Sequence, residues 1–511
     1  MDYYAHISDD GRRQMIAEHL AATAALCRSF AGEFGAEAEG ELMGLAHDIG
    51  KCTNGFQKRL LENGPIVDHA TAGAVACARL LRTCAAACVA GHHSGLPDFG
   101  NPRTDRAGDV TLYGRLKKGL EERYLDRCGE SGAALPRIPP ETPERDLWKL
   151  SFRTRMLYSC LVDADFLDTE RFMNGERGRG GYDDLPTLLK RLEAYIALWQ
   201  NPKTELNHLR CKMLNTCIEA GCKPKGIYTL TVPTGGGKTV TSLAFALHHA
   251  VTHGMKRVIY IIPYTSIIEQ NAEVFRNILG DGNVLEHHSG MEFDLSDGAS
   301  PEEIRRALAS ENWDMPVVVT TAARFFDSLY ANRSSKCRKL HNLANSVIIF
   351  DEAQMLPLCH LRPCVAAMAS LAECVGSTLV LCTATQPSLS DLLRTYAPGH
   401  TVMELCPQTE EIYDRFRRVT FRQAGVLEDD ALTERLSNHR QVLCVVNSRR
   451  AAQQIFDRLP KEGCFHLSTL MIPTQRQAIL EEIRQRLKDG EPCRVVSTSL
   501  IEAGVDVDFP T

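Results

Sequence analysis

Val232-Pro233-Thr234-Gly235-Gly236-Gly237-Lys238-Thr239 sits between two unlike stretches, and that contrast decides the fold. Before it, Ile227–Val232 is short, apolar and β-branched, the composition of a buried strand. After it, Val240–Val251 is mostly apolar and built from good helix formers. A strand, a glycine-rich turn, Lys-Thr and a helix form the setting of a phosphate loop. Glycines let backbone N–H groups approach a phosphate, and the helix N-terminus adds free donors and a favourable dipole. Lys238 would reach the β- and γ-phosphates, and Thr239 would hold Mg²⁺. Val232 stands where the pattern usually has its first glycine.

Downstream, strand and helix patterns alternate, which predicts a parallel sheet. Arg257–Ile262, Pro316–Val319, Val347–Phe350 and Thr378–Cys382 read as buried strands. Their C-terminal ends carry Pro263-Tyr-Thr-Ser, Thr320-Thr321, Asp351-Glu-Ala-Gln354 and Thr383-Ala-Thr385. Open α/β sheets bind ligands at that edge. Gln441–Val446 and Cys493–Thr498 begin a second set of strands.

Upstream, residues 14–95 are rich in Ala, Leu, Cys and His and predict helices. Their histidines fall in order: His19, His47-Asp48, His69 and His92-His93, with Asp165 in a later helical run. Imidazole and carboxylate together suit divalent transition metals, and Mn, Fe, Co and Ni fit equally well. A carboxylate bridging two ions would activate water and stabilise the leaving oxygen of a phosphodiester. Asp163 and Asp168 read as residues of solvated helix faces. Asn201-Pro202 marks a boundary, giving regions 1–200, 205–400 and 405–511.

The 511 residues suit about three domains. A net charge of −6 excludes a global basic field, so any nucleic-acid binding must use local grooves. No signal peptide is read at Met1-Asp-Tyr-Tyr, and no apolar run of the ~18 residues that suggest a span is read either. Nineteen cysteines without a C-x-x-C pair predict reduced thiols and a cytoplasmic setting without membrane partners.

The Pro-Thr-Gly-x-Gly-Lys-Thr form, Asp351-Glu-Ala-Gln354 and Thr383-Ala-Thr385 resemble helicases of superfamily two. The ordered histidines with Lys51 resemble the HD phosphohydrolases, specifically the HD nuclease–helicase of type I CRISPR systems, with I-C-like features in Tyr264-Thr-Ser-Ile-Ile. The resemblance implies an all-α HD domain followed by two RecA-like α/β lobes. His19, His47, Asp48 and Asp165 would bind one metal, and Asp48, His69, His92 and His93 the other. Lys51 would steady the scissile phosphate. Thr234, Gly235, Gly236, Gly237, Lys238, Thr239, Asp351, Glu352 and Gln354 would bind ATP with Mg²⁺, Glu352 polarising the attacking water. Gly504 and Asp506 would close over the nucleotide from the second lobe. A sixth motif would fall beyond Thr511, so an incomplete second lobe is expected.

The implied function is an ATP-driven single-stranded DNA translocase with a metal-dependent nuclease. It would degrade invader DNA in a prokaryotic cytoplasm, recruited to an R-loop by a Cascade-type crRNA complex. From the residues alone, an RNA-remodelling helicase with a docking HD domain stays open. So does a nucleotide phosphohydrolase joined to a motor. The HD region is expected to fold from its own helices.

Overall fold

Small side chains hold the N-terminal region together. Helices α1 (Ile16–Gly32), α2 (Glu37–Ala46), α3 (Asn54–Glu62), α4 (Ala70–Arg79), α5 (Thr83–Gly91), α6 (Leu112–Leu116) and α7 (Leu147–Asn174) follow one another. Ala46, Ala74, Ala86, Ala87, Cys88 and Ala90 are fully or almost fully buried between them. Such short side chains let helix axes approach closely, which brings residues of several helices to one point. Asp146 caps α7 by accepting from Trp148 N–H at 2.8 Å and Lys149 N–H at 3.3 Å. The region is not wholly helical: strands β1 (Tyr4–Ile7) and β2 (Arg13–Met15) pair antiparallel ahead of α1. Tyr3 and Ala5 point inward there with period two, a pattern too short to stand out in sequence.

The computed structural model describes the chain except residues 1, 119, 121–128, 130–133, 137, 139–143, 176–177, 200, 234, 264, 292–298, 384–388, 408, 417–418, 502–506 and 511. It divides into one unit of Met1–Pro263 with Ala272–Phe416 and another of Tyr264–Asn271 with Arg417–Thr511. The helical region and the first α/β lobe therefore belong to one unit.

That lobe is a seven-stranded parallel sheet: β3 (Ile227–Thr231), β4 (Val258–Ile262), β5 (Val284–His287), β6 (Val317–Thr321), β7 (Val347–Phe350), β8 (Thr378–Thr383) and β9 (Val402–Glu404), in the order β5-β6-β4-β7-β8-β3-β9. All but β9 are buried along their whole length, as expected of strands covered by helices on both faces. The phosphate loop follows β3, and Asp351 follows β7.

No unbroken apolar run of ~18 residues occurs, but one mixed window comes near it. The window Leu358–Val375 has a mean hydropathy of 1.3 and is long and apolar enough to cross a membrane by composition. Within it 56% of the residues are buried, and its helix Leu361–Val375 packs on α7 and β8. Its apolar character comes from dispersed Leu, Ala, Cys and Met, broken by His360, Arg362, Pro363 and Glu373, and it packs as a core helix.

In the second unit, β10 (Gln441–Val445), β11 (Cys464–Leu467) and β12 (Cys493–Ser497) form a parallel sheet ordered β10-β12-β11. One hydrophobic cluster centres on Val442, Ala452, Ile455 and Val496, another on Leu467, Ile483, Val495 and Ile501. Every described cysteine is a free thiol.

Candidate metal centre and nucleotide site

α2 ends at Ala46, so His47 and Asp48 leave the helix in a turn that aims both inward. The turn can pass under His69 only because residue 50 is glycine: a Cβ there would lie 2.1 Å from the His69 carbonyl oxygen. α1 supplies His19, the start of α4 supplies His69, the end of α5 supplies His92 and His93, and α7 supplies Asp165. The structure brings all seven residues into two adjoining clusters, His19, His47, Asp48, Asp165 and Asp48, His69, His92, His93, whose polar atoms lie within 4.8 Å of one another in each.

Asp48 is fully buried and faces both clusters. Its Oδ2 lies 3.4 Å from Nε2 of His19 and 3.4 Å from Nε2 of His47. Its Oδ1 lies 3.3 Å from Nε2 of His69 and 3.4 Å from Nε2 of His92. Asp165 Oδ1 completes the first cluster at 3.5 Å from His19 and 3.6 Å from His47.

The other ring nitrogens explain why Nε2 of His19, His47 and His92 points inward. Nδ1–H of His47 donates to the Gly44 carbonyl at 2.8 Å, and that of His92 to the Val89 carbonyl at 2.7 Å. His19 Nδ1 meets Asp168 Oδ2 at 2.7 Å, and Gln14 holds the same carboxylate oxygen at 2.8 Å. A histidine that donates through Nδ1 presents a lone pair at Nε2. The Nε2 atoms of His19 and His47 then confront each other at 3.1 Å beside two carboxylates. Acceptors facing acceptors repel unless a cation or proton sits among them. Ligand atoms about 2.1 Å from one ion stand roughly 3.4 Å apart in a tetrahedron, close to the spacings here. Asp48 Oδ1, His69 Nε2 and His92 Nε2 are buried without hydrogen-bond partners. The donor set fits divalent metals.

The electrostatics agree. Burial alone would lower His19, but hydrogen bonds to Asp168 and Asp48 outweigh it and carry it up to about 9. Burial opposes ionisation of Asp48, yet Lys51 and His47 hold it well below the usual carboxylate range. His93 is pushed down to about 3 by burial and by His92. It is the exposed member of its cluster, so the second cluster has the open side.

Two expectations change. Asp168 and Asp163 are not on solvated faces; they are 4% and 0% exposed. Asp168 orients His19, and Asp163 pairs with Arg338 of the sheet-bearing lobe at 2.8 Å. Periodicity placed them on a helix but could not show that both faces of α7 are covered. Lys51 is also buried, with Nζ 2.6 Å from Asp48 Oδ2, 3.3 Å from the Ala5 carbonyl and 3.4 Å from His6 Nε2. Its three N–H groups all have acceptors. His6 went unnoticed in sequence; it packs edge-on to His19 with centroids 4.9 Å apart, and burial and Lys51 push it down to about 3.

At the other site, Gly237 has φ +85, and a Cβ on Gly236 would lie 2.5 Å from Val232 Cγ1, so the turn needs both glycines. Lys238 opens the following helix, with Thr239 next to it. Its Nζ lies 2.8 Å from Asp351 Oδ1 and also contacts Glu352. Burial works against that ammonium, but Asp351 and Glu352 outweigh it and raise it above its usual range. Burial raises Asp351, with Lys238 opposing. Glu352 sits at φ 50, a left-handed conformation unusual for a non-glycine residue, and Gln354 Nε2 donates to its carboxylate at 2.6 Å. Sequence reading missed Arg210, whose Nε and Nη2 donate to the Gly235 carbonyl at 2.9 and 2.6 Å. Thr320 and Thr321 use their hydroxyls inside the fold, on the His287 carbonyl at 2.7 Å and as the cap of Arg324 N–H at 3.1 Å. Thr234, Gly504 and Asp506, with Tyr264 and Thr385, lie outside the described residues.

These sites have known counterparts. Residues 16–118 match the HD domain, and residues 215–392 match the DEAD/DEAH box helicase. The CRISPR-associated nuclease/helicase Cas3 of Haloferax volcanii is 25% identical over 469 aligned residues, covering 75% of this chain and 49% of that protein. The structure of T. fusca Cas3-AMPPNP superposes with a TM-score of 0.65 at 16% identity, over 99% of this chain and 70% of that one. A chain of a CRISPR RNA-guided surveillance complex, pre-nicking, superposes with a TM-score of 0.60 at 18% identity, over 99% and 68%. At such identities the likeness to solved structures shows the fold. The chain thus joins an all-helical HD domain, apart from its short β1–β2 ribbon, to a DEAD-type helicase domain with a parallel sheet. In carrying both domains in one chain it is similar to the CRISPR-associated nuclease/helicase Cas3. It spans about half the length of the curated relative it matches.

Proposed function

We propose that this chain is an ATP-driven single-stranded DNA translocase with a metal-dependent DNA nuclease, acting in CRISPR defence in a prokaryotic cytoplasm. Its partners would be the displaced strand of an R-loop and a Cascade-type crRNA complex, since a similar chain occurs in a CRISPR RNA-guided surveillance complex. The observation that carries the reading is Asp48, one buried carboxylate offering an oxygen to each of two histidine clusters. Divalent ions bound there supply Lewis acidity to a phosphodiester and lower the pKa of water. His19, His47, Asp48 and Asp165 would hold one, and Asp48, His69, His92 and His93 the other. Asp168 and the carbonyls of Gly44 and Val89 keep the imidazoles oriented. Lys51 balances and aims Asp48; to touch a scissile phosphate it would give up one of its present bonds. The exposed His93 side admits the strand.

In the motor, Lys238 would exchange Asp351 and Glu352 for the nucleotide's β- and γ-phosphates. That exchange frees Asp351 for Mg²⁺ and Glu352 to polarise the attacking water. Gln354, already on Glu352, would sense the γ-phosphate. The deciding experiment incubates the protein and Mn²⁺ with single-stranded DNA, single-stranded RNA and nucleoside triphosphates. Cleavage of DNA is expected. Hydrolysis of triphosphates at the HD site, with DNA left whole, would replace the nuclease reading.

A further inference from the structure

Three buried carboxylates on α7 divide between two faces. Asp165 and Asp168 are three residues apart, on the face turned to the histidines. Ser159, Asp163 and Phe166 follow one another at helical spacing on the face turned to the sheet-bearing lobe. One segment of that lobe, Arg338 to His341, runs along this second face. Arg338 Nε donates to Asp163 Oδ1 at 2.8 Å, and its guanidinium lies 4.4 Å from the centroid of the Phe166 ring. Asn312 Nδ2 holds the other Asp163 oxygen at 3.1 Å, and Glu311 steadies Arg338 Nη1 at 3.0 Å. Ser159 Oγ meets His341 Nδ1 at 3.0 Å and accepts from His341 N–H at 2.9 Å. Arg338 therefore grips α7 on both sides of Asp165 in sequence.

Both partners are almost wholly buried, at 3% and 0% exposed. A buried ion pair is a poor source of net stability, since its desolvation offsets its attraction; an apolar pair of like volume would hold the parts together as well. What the ion pair and the guanidinium–ring contact fix is the rotation of α7 about its axis. That rotation sets where Asp165 stands relative to His19 and His47.

We infer that Arg338, from the helicase domain, is a positioning residue for the first metal cluster of the HD domain. The motor's own side chain sets the nuclease's ligand geometry, so metal affinity at one cluster depends on the neighbouring domain. This rests on reading the two clusters as metal sites.

The test titrates the full chain, stripped of metal, with Mn²⁺ and follows bound ions by paramagnetic resonance and calorimetry. Asp165→Asn marks the first cluster and His69→Ala the second. Arg338→Gln should weaken the site that Asp165→Asn weakens by about 10–100-fold, the range for a residue supporting a ligand. The other site and nucleotide binding should not change. In the double variant Asp165→Asn/Arg338→Gln the losses should not add, because both act through one ligand. Equal weakening of both sites, or fully additive losses, would reduce Arg338 to a stabilising contact and overturn the inference. If Arg338→Gln does not fold, Arg338→Lys is read the same way: it keeps a charge beside Asp163 but lacks the guanidinium that contacts Phe166. A wild-type chain that takes up no Mn²⁺ overturns the metal reading and this inference with it. Two ions bound normally in both Arg338 variants overturn the inference alone.

Discussion

The two candidate sites are both built from buried carboxylates, yet they are balanced in opposite ways. At the nucleotide site Asp351 and Glu352 already have a cation, Lys238, within the chain. At the HD site the acceptors converge on one another, and Lys51 reaches only one edge of the group through Asp48 Oδ2. The first site can rest without its ligand and must break a contact to bind; the second is strained toward a cation and gains by binding. A closed ion pair thus suits a site that exchanges partners with each turnover, whereas converging acceptors only partly balanced by Lys51 suit a site that favours a bound cation.

The sharpest break of this comparison is Asp48→Ala, which removes a ligand from both clusters at once. Nuclease turnover should fall by at least about 10³-fold, on the order of 4 kcal/mol of barrier, with nucleotide binding intact. Parental cleavage in Mn²⁺-supplemented buffer would show that the carboxylate is not shared. Next is Lys238→Ala. Loss of one donor to developing charge predicts a fall in ATP turnover of about 10²–10³-fold, while Mn²⁺ uptake stays normal. ATPase rates and a metal titration on the same sample decide it, and a variant that still hydrolyses ATP would remove the lysine from the phosphate site. Asp168→Asn sharpens the contrast at lower amplitude: losing the carboxylate behind His19 should weaken one Mn²⁺ site by about 10–100-fold without touching the motor. An unchanged titration would leave Gln14 and packing as the groups that orient the ring. The smallest effect is expected of Arg210→Ala. Its bonds to Gly235 lie at the surface, so ATP affinity should fall only about two- to five-fold, consistent with a loss under 1 kcal/mol. A hundredfold loss would mean that Arg210 touches the nucleotide.

The convergence of the His and Asp side chains was legible as residue types in order, because few structural needs place His-Asp and His-His pairs at helix ends. The parallel sheet was legible too, since strands such as Val258–Ile262 and Val347–Phe350 are continuous apolar runs with ligand-bearing residues at their tips. What stayed hidden depends on neighbours remote in sequence. Asp163 looks like any polar helix residue until Arg338 arrives from another domain. His6 lies on a strand too short to show a period, and Arg210 acts through a backbone carbonyl, which leaves no mark in sequence. Contacts across α7 also join the HD region to the sheet-bearing lobe, a pairing of remote segments that leaves no mark in sequence.

The apolar helix Leu361–Val375 carries that last point into folding. Its cover comes partly from β8 and partly from α7, which lie on opposite sides of the domain boundary in sequence. Until both are in place, a stretch oily enough for a bilayer faces water. The HD domain and the first helicase lobe should therefore melt as a single cooperative transition, with matching midpoints for a probe beside Asp165 and one beside Lys238. A chain cut between them would expose that helix and aggregate rather than yield two independent halves.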